Sequence, residues 1–235
     1  VVVDSLARIG DPGSVVPLLG KVQEPTLSVR WRVVRALGEL GDDRAASSLL
    51  LAMQDADPTV RAEALGALGR LGVTAVVPSI AAALRTEEDG EVRRRAVAAL
   101  ASLGSAAAVD VLVESLRDPG PGVTVGDLAA ALGAVGDGAT PRLERCLGGQ
   151  PGTTMARGCA AALGAVGGPR ATVALAGALR RGVLEPAAAL GALGKLGDAA
   201  ALPIVLEYLA DPDPATRAGA AEAAMSLLDP RRPDG

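Results

Sequence analysis

The stretch DADPTVRAEALGALGRLG, residues 55–72, decides the fold of this 235-residue chain. From residue 59 onward its apolar residues, Val60, Ala64, Leu65, Leu68 and Leu71, follow the three- and four-residue steps of one helix face. The segment DADP that opens it is typical of a turn with a helix N-cap, and the closing Gly suits the left-handed residue that ends a helix. The stretch therefore predicts an amphipathic helix that ends at its last glycine.

The same helix ending recurs along the whole chain. An apolar residue followed by glycine is found at Gly10, Gly41, Gly72, Gly104, Gly136, Gly167 and Gly197, in steps of 30 to 32 residues. A second amphipathic segment follows these glycines, as in DDRAASSLLLAMQ at 42–54. A hairpin of two such helices cannot bury its own apolar face, so repeats of this kind are stable only when they stack on their neighbours.

The repeat predicts an all-α fold: a right-handed α-solenoid (superhelix) of about seven helical hairpins after a lone N-terminal helix. We expect one domain over 1–228 with no internal boundary. The expected units are 1–10 (partial), 11–41, 42–72, 73–104, 105–136, 137–167, 168–197 and 198–228, followed by a tail at 229–235.

The pattern D-x-D-x-x-V-R-x-x-A-x-x-A-L-G-x-L-G-D resembles HEAT repeats, particularly the short bacterial kind also found in phycobilin lyases. The resemblance covers the chain, although the units at 105–136, 137–167 and 168–197 lack the V-R pair. It implies that the second helices of the hairpins line a concave face that holds partners. Counted back from the glycine, positions −10, −9, −6, −3 and −2 are expected to face away from the core.

Composition argues against several other functions. The chain has one Trp, one Tyr, no Phe and no His, and its net charge is −4. Without His, zinc or haem ligation is not expected, and no phosphate-binding loop occurs. We interpret Cys146 and Cys159 as two buried, small apolar side chains. The sequence thus predicts no cofactor, no metal, no membrane span and no secretion leader, and a cytoplasmic location by default.

Two sets of residues are singled out on the second helices. The recurring arginine at position −11 lies beside the buried face and is expected to tie one repeat to the next through the acidic turns; this set is Arg30, Arg61, Arg93 and Arg217. The outward set, predicted to bind a partner, is Trp31, Arg32, Arg35, Arg70, Arg94 and Arg95. Its alternative is an ordinary solvated surface, with Trp31 packed against residues 1 to 9 or against a missing preceding repeat.

The outward positions of the fourth to sixth hairpins are instead small. They are Gly126, Ala130, Ala134, Gly158, Ala161, Ala165, Ala187, Ala188 and Gly191, together with Asp127, Arg157 and Lys195. This smooth surface suits a helix or strand of a partner, or it lets neighbouring helices of the chain approach closely.

These features favour a non-catalytic scaffold that binds another protein, with an acidic or helical segment as the expected partner. The resemblance leaves two alternatives open. One is a phycobilin-lyase-like enzyme or bilin chaperone, and the other is a nucleic-acid-binding solenoid. The acidic total charge and the scarcity of aromatic residues weigh against the latter.

Overall fold

The structure is a computed structural model that describes residues 2–149 and 152–229. All regular structure in these residues is helical, with no strand, so the predicted all-α repeat fold is confirmed. Of the predicted tail, only Asp229 lies within the described residues. None of the described helices is long and apolar enough to cross a membrane.

The chain divides into two compact units. The first contains the chain up to Val111 together with Gly120–Val123, and the second contains Leu112–Pro119 and the chain from Thr124 onward. The helices of the first unit are α1 (Val2–Ile9), α2 (Val15–Leu19), α3 (Leu27–Leu40), α4 (Ala46–Ala52), α5 (Pro58–Leu71), α6 (Val77–Thr86) and α7 (Gly90–Leu103). Helix α8 (Ala106–Ser115) contributes residues to both units.

The second unit continues the alternation of first and second helices. It contains α9 (Val125–Val135), α10 (Thr140–Cys146), α11 (Thr154–Val166), α12 (Gly168–Arg180), α13 (Pro186–Leu196), α14 (Leu202–Glu207) and α15 (Pro214–Leu227). The odd-numbered helices α3 to α15 are the second helices of the hairpins. Those from α3 to α13 each end one residue before a glycine of the sequence repeat.

The ends of α5 show why these segments fold as helices. The Asp57 carboxylate accepts a hydrogen bond from the Thr59 amide at 2.8 Å, and Pro58 occupies the first turn, where its missing N–H costs nothing. At the other end Gly72 adopts φ +73°, a left-handed conformation that stops the helix. Turn chemistry and helix periodicity thus agree on the same boundaries.

Within each unit the second helices pack on one another in chain order. Helices α1, α3, α5 and α7 contact successively in the first unit, and α9, α11, α13 and α15 do so in the second. Leucines of these helices form much of the core, and Leu37, Leu65 and Leu100 are at most 1% exposed. Burying each such side chain contributes about 2 kcal/mol before the entropy cost of ordering it.

Glycine at position −3 permits this packing. A Cβ built on Gly38 would lie 2.6 Å from Cβ of Ala67, and one on Gly69 would lie 3.0 Å from Cα of Ala99. In the second unit, Gly164 meets the Ala192 carbonyl oxygen in the same way, at 3.0 Å. The prediction that position −3 faces away from the core is therefore wrong at these glycines, because their side is covered by the next second helix.

Candidate functional site

The arginine at position −11 holds the turn of its own hairpin. In Arg30, Nη1 donates to the carbonyl oxygens of Glu24 (3.2 Å) and Pro25 (3.0 Å), which lie between α2 and α3. The same guanidinium donates from Nε and Nη2 to both oxygens of Asp55, at 2.8 and 3.1 Å. Since Asp55 belongs to the turn of the following hairpin, one side chain joins two consecutive turns. We call this arrangement the turn clamp.

Arg61 repeats the turn clamp one hairpin later. Its Nη1 donates to the carbonyl oxygens of Asp55 (2.9 Å) and Ala56 (3.1 Å), and its Nε and Nη2 donate to Glu87 at 2.8 and 2.9 Å. The hydrogen bond from Arg61 lowers the pKa of Glu87, although burial acts in the opposite direction. Planar, two-pronged recognition of a carboxylate is the geometry that arginine provides and lysine does not.

The other two arginines of this set hold the turn of their own hairpin. Arg93 is 6% exposed and donates to the carbonyl oxygens of Leu84 and Glu87. Arg217 donates to those of Asp211 (2.8 Å) and Pro212 (2.9 Å). At the same register the fourth to sixth hairpins carry no arginine; the residues there are Val125, Ala156 and Pro186.

The outward residues of α3 form a cluster with α1. Arg32 and Arg35 both pair with Asp4, at 3.3 and 3.1 Å. Their guanidinium carbons also lie 5.4 and 4.9 Å from the ring centroid of Trp31, within cation–π distance. Trp31 itself is half-buried. Part of the predicted set is therefore brought together here, with Asp4 as a member that the sequence did not single out.

The outward arginines of α5 and α7 are also paired. Arg70 lies 3.3 Å from Glu63, and Arg94 and Arg95 lie 2.8 and 3.2 Å from Glu91. Arg94 also donates to the Gly122 carbonyl oxygen at 2.9 Å. The side chains of the five outward arginines remain 38 to 51% exposed. We call this surface of α3, α5 and α7 the charged face.

The charged face is nearly neutral as a whole. Five arginines are matched by four carboxylates, those of Asp4, Glu39, Glu63 and Glu91. The hydrogen bond from Arg94 lowers the pKa of Glu91 more than burial raises it, and the hydrogen bond from Arg95 lowers it further, so Glu91 stays ionised at neutral pH. The face therefore offers alternating charges and not the basic patch that an Arg count alone suggests.

The corresponding face of the second unit is smooth. Gly126, Ala130, Ala134, Ala165, Ala187 and Gly191 are exposed there, and Arg157 and Lys195 are exposed beside them. Asp127 forms a capping box with Thr124 at the start of α9. Gly158 is a correction to the predicted outward set, because it is buried and a Cβ on it would lie 3.2 Å from Cβ of Leu116.

The two cysteines form a disulfide, so their interpretation as separate apolar side chains is wrong. Cys146 ends α10 and Cys159 lies in α11, with their Cα atoms 6.4 Å apart. This distance is within the range that a disulfide spans. The cysteines are thirteen residues apart in the sequence, but α10 packs against α11 and brings them together.

The repeat register shows which positions the two cysteines occupy. Aligned on the buried leucines of the first helices, Cys146 takes the place of Ala52 in α4 and Ala83 in α6. Cys159, eight residues before the glycine, takes the place of Ala64 and Ala96. Both cysteines thus lie at positions that alanine occupies in the second and third hairpins, while their pairing follows from the packing of α10 on α11.

A second surface of the first unit lies on the side of the first helices. A groove of about 880 Å³ runs between α4 and α6, lined on its apolar side by Leu50, Met53, Ala82 and Ala83, with Glu88 among its polar residues. No group of three or more His, Cys, Asp or Glu that could hold a metal ion is found in 2–149 and 152–229.

Comparison with known protein families identifies the repeats of this chain. Residues 46–133 and 184–234 match the family described as HEAT repeats, which is more than half of the chain. Residues 29–55 match the family described as PBS lyase HEAT-like repeat. A search of curated protein sequences finds no match.

Solved structures with a similar fold are distant in sequence. The complex of CpcE and CpcF of phycocyanin lyase from Nostoc sp. is 24% identical, with 90% of this chain and 93% of that chain covered and a TM-score of 0.48. Human deoxyhypusine hydroxylase in complex with glycerol is 22% identical, with coverages of 96% and 88% and a TM-score of 0.40. A designed armadillo repeat protein in complex with the peptide (KR)4 is 17% identical, with coverages of 90% and 98% and a TM-score of 0.43.

Proposed function

Because this chain belongs to the HEAT-repeat family, we propose that it is a non-catalytic scaffold that binds another protein along the charged face of its first unit. The observation that carries the proposal is the run of five half-exposed arginines on three successive second helices, next to the half-buried Trp31. Arg and Trp are the residue types that most often dominate the energy of protein interfaces.

The pairing of these arginines does not prevent binding. A solvent-exposed ion pair contributes only about 0 to 1 kcal/mol, so a carboxylate of a partner can replace Glu63 or Glu91 at little cost. The guanidiniums are also held in place before binding, which reduces the side-chain entropy lost on association. The alternating charges favour a partner segment of mixed charge, with acidic residues opposite arginines and basic residues opposite glutamates.

Trp31 supplies the apolar part of the surface. Its ring is held by Arg32 and Arg35, so it presents a fixed, half-buried aromatic surface next to two charges. A residue of this kind suits the centre of an interface, where apolar contact and displaced water contribute most. We therefore expect the partner to cover Trp31 and to extend towards Arg94.

Site-specific photo-crosslinking tests which surface is used. A benzophenone amino acid at Ala98 samples the second-helix side, and the same amino acid at Ala82 samples the groove; both alanines are exposed and lie in one hairpin. In extracts of the native cells, position 98 should crosslink to a protein and position 82 should not. Crosslinking at position 82 alone would move the interface to the groove.

Substitutions then measure the contribution of the charged face. Trp31→Ala and Arg94→Ala should each weaken binding of the captured partner at least about tenfold. Glu88→Gln, on the groove side, serves as the matched control and should leave the affinity unchanged. Unchanged affinity in both charged-face variants would contradict the proposal, and a salt-dependent gel shift with DNA or RNA would redirect it to nucleic acid.

A second candidate function is the handling of a bilin, as a lyase-like enzyme or a chaperone. The observation that favours it is the match of residues 29–55, which include Trp31, to the PBS lyase HEAT-like repeat. Mixing the protein with a bilin should then change the visible absorbance spectrum, and Trp31→Ala should remove the change. An unaltered spectrum excludes this candidate and leaves the scaffold proposal as it stands.

A further inference from the structure

The fifth hairpin, α10 with α11, lacks the turn clamp that closes the hairpins of the first unit. Its residue at position −11 is Ala156, which is 1% exposed and has no side chain to reach the turn carbonyls. The Cys146–Cys159 disulfide links the last residue of α10 to α11 instead. This hairpin thus has no guanidinium at position −11, and a covalent link joins its two helices.

The cysteines are not needed to fill space. In the second and third hairpins the equivalent pairs are Ala52 with Ala64 and Ala83 with Ala96, and those hairpins pack without a covalent link. A cysteine is nearly as small as an alanine. Compared with an alanine at the same position, a cysteine therefore adds chiefly the chemistry of its thiol.

From this we infer that Cys146 and Cys159 form a reversible thiol–disulfide site, which fastens the α10–α11 hairpin when oxidised and lets it open when reduced. The inference concerns the second unit alone and does not depend on partner binding by the charged face. Its redox partners are a dithiol reductant and a low-molecular-weight disulfide oxidant.

The different burial of the two cysteines sets the direction of attack. Cys159 is 0% exposed, whereas Cys146 is only half-buried at the end of its helix. A dithiol therefore attacks Sγ of Cys146 as a thiolate and forms a mixed disulfide, and the electron pair of the broken S–S bond leaves with Sγ of Cys159, which then takes up a proton. The second sulfur of the dithiol attacks the mixed disulfide and releases Cys146, so that the dithiol is oxidised and the two cysteines are reduced.

Opening this hairpin affects the centre of the second unit. Helix α11 packs against both α9 and α13, so its position sets the contacts on either side. Closing a loop of thirteen residues restricts the open chain enough to disfavour opening by about a hundredfold. Reduction should remove that restriction from the α10–α11 hairpin, while the hairpins of the first unit keep their turn clamps.

Hydrogen exchange on the full chain tests the inference. The protein is equilibrated with oxidised glutathione or with dithiothreitol, and amide exchange is followed by mass spectrometry. Reduction should accelerate exchange in peptides from 140–166 by up to about a hundredfold and leave peptides from 58–71 unchanged. Alkylation of the same samples should count no free thiol in the first and two in the second.

A matched variant separates the thiol chemistry from packing. Cys146→Ala with Cys159→Ala reproduces the alanine pairs of the second and third hairpins, so it should fold, exchange at the rate of the reduced protein and ignore dithiothreitol. Equal exchange of oxidised and reduced wild-type protein would overturn the inference. So would two free thiols after equilibration with oxidised glutathione, because no reversible site would then exist.

Discussion

Helices α5 and α11 occupy the same place in their hairpins, yet they are joined to their surroundings by different means. In α5 the guanidinium of Arg61 binds two turn carbonyls and Glu87. In α11 the same register is Ala156, and a disulfide from Cys159 reaches the preceding helix. Both helices keep the glycine at position −3, Gly69 and Gly164, against the next second helix.

Comparing the two helices shows that the repeat requires the glycine at position −3 but tolerates variation in how the two helices of a hairpin are linked. At the tightest positions the backbones of successive second helices are in contact, and only glycine, which has no side chain, leaves space for that contact. The link between the two helices of a hairpin varies more: Arg61 supplies hydrogen bonds in the second hairpin, a disulfide joins the helices of the fifth, and the fourth and sixth have neither an arginine at that position nor a cysteine. The exposed face is freer still, charged on α5 and α7 and smooth on α11 and α13.

The largest effect on stability is expected from replacing a glycine at position −3, which both helices share. Gly69→Leu should destabilise the first unit by about 3 kcal/mol, because a Cβ there already meets Cα of Ala99 at 3.0 Å and the rest of the side chain must push α7 away. Gly66→Leu, in the same helix, is the control. A Cβ at that position meets only the end of the flexible Arg70 side chain, at 3.6 Å.

Urea unfolding followed by circular dichroism distinguishes the two variants. Gly66→Leu should be neutral or should stabilise by a few tenths of a kcal/mol, since leucine favours a helix more than glycine does. Equal destabilisation by both substitutions would mean that close approach at position −3 is not what the glycine serves.

A smaller effect is expected from removing a turn clamp. Arg61→Ala should cost about 2 kcal/mol, because a largely buried carboxylate, Glu87, and two turn carbonyls lose their donors together. Arg217→Ala should cost less, about 1 kcal/mol or below, since Arg217 is exposed and no carboxylate of the described residues pairs with it. Thermal or urea unfolding of both variants provides the comparison, and an equal loss would show that Glu87 adds nothing.

The architecture could be predicted from the sequence because the same helix-ending pattern recurs several times along the chain. The glycines at 41, 72, 104 and 197 mark left-handed helix ends, and the acidic turns cap the helices that follow. Each copy by itself is a weak signal. Several copies at one spacing leave no other fold that buries all the apolar stripes.

The site could be read only in part, because partners across hairpins are set by packing and not by spacing. The sequence placed Arg32 and Arg35 on an outward face but gave no means to see Asp4 pairing with both. It also treated position −3 as outward, since a single helix drawn as a wheel does not show how closely the next helix lies. The cysteine pair was missed for the same reason.

The smallest predicted effect concerns the pH dependence of the Arg61 clamp. The pKa of Glu87 is lowered by its hydrogen bond with Arg61, so the contribution of the pair to stability is complete above the ordinary carboxyl pKa of 4.5 and is lost as the pH falls through the lowered value. Glu87→Gln should therefore be less stable than wild type by about 1 kcal/mol at pH 7.

This difference should shrink steadily once the pH drops below 4.5, the ordinary carboxyl value. Urea unfolding of wild type, Glu87→Gln and Glu88→Gln across that range checks the sign, with the exposed Glu88 as the neighbouring control that should show little difference at any pH. A Glu87→Gln difference that stayed constant down to low pH would show that packing of the side chain, and not its charge, holds the two turns together.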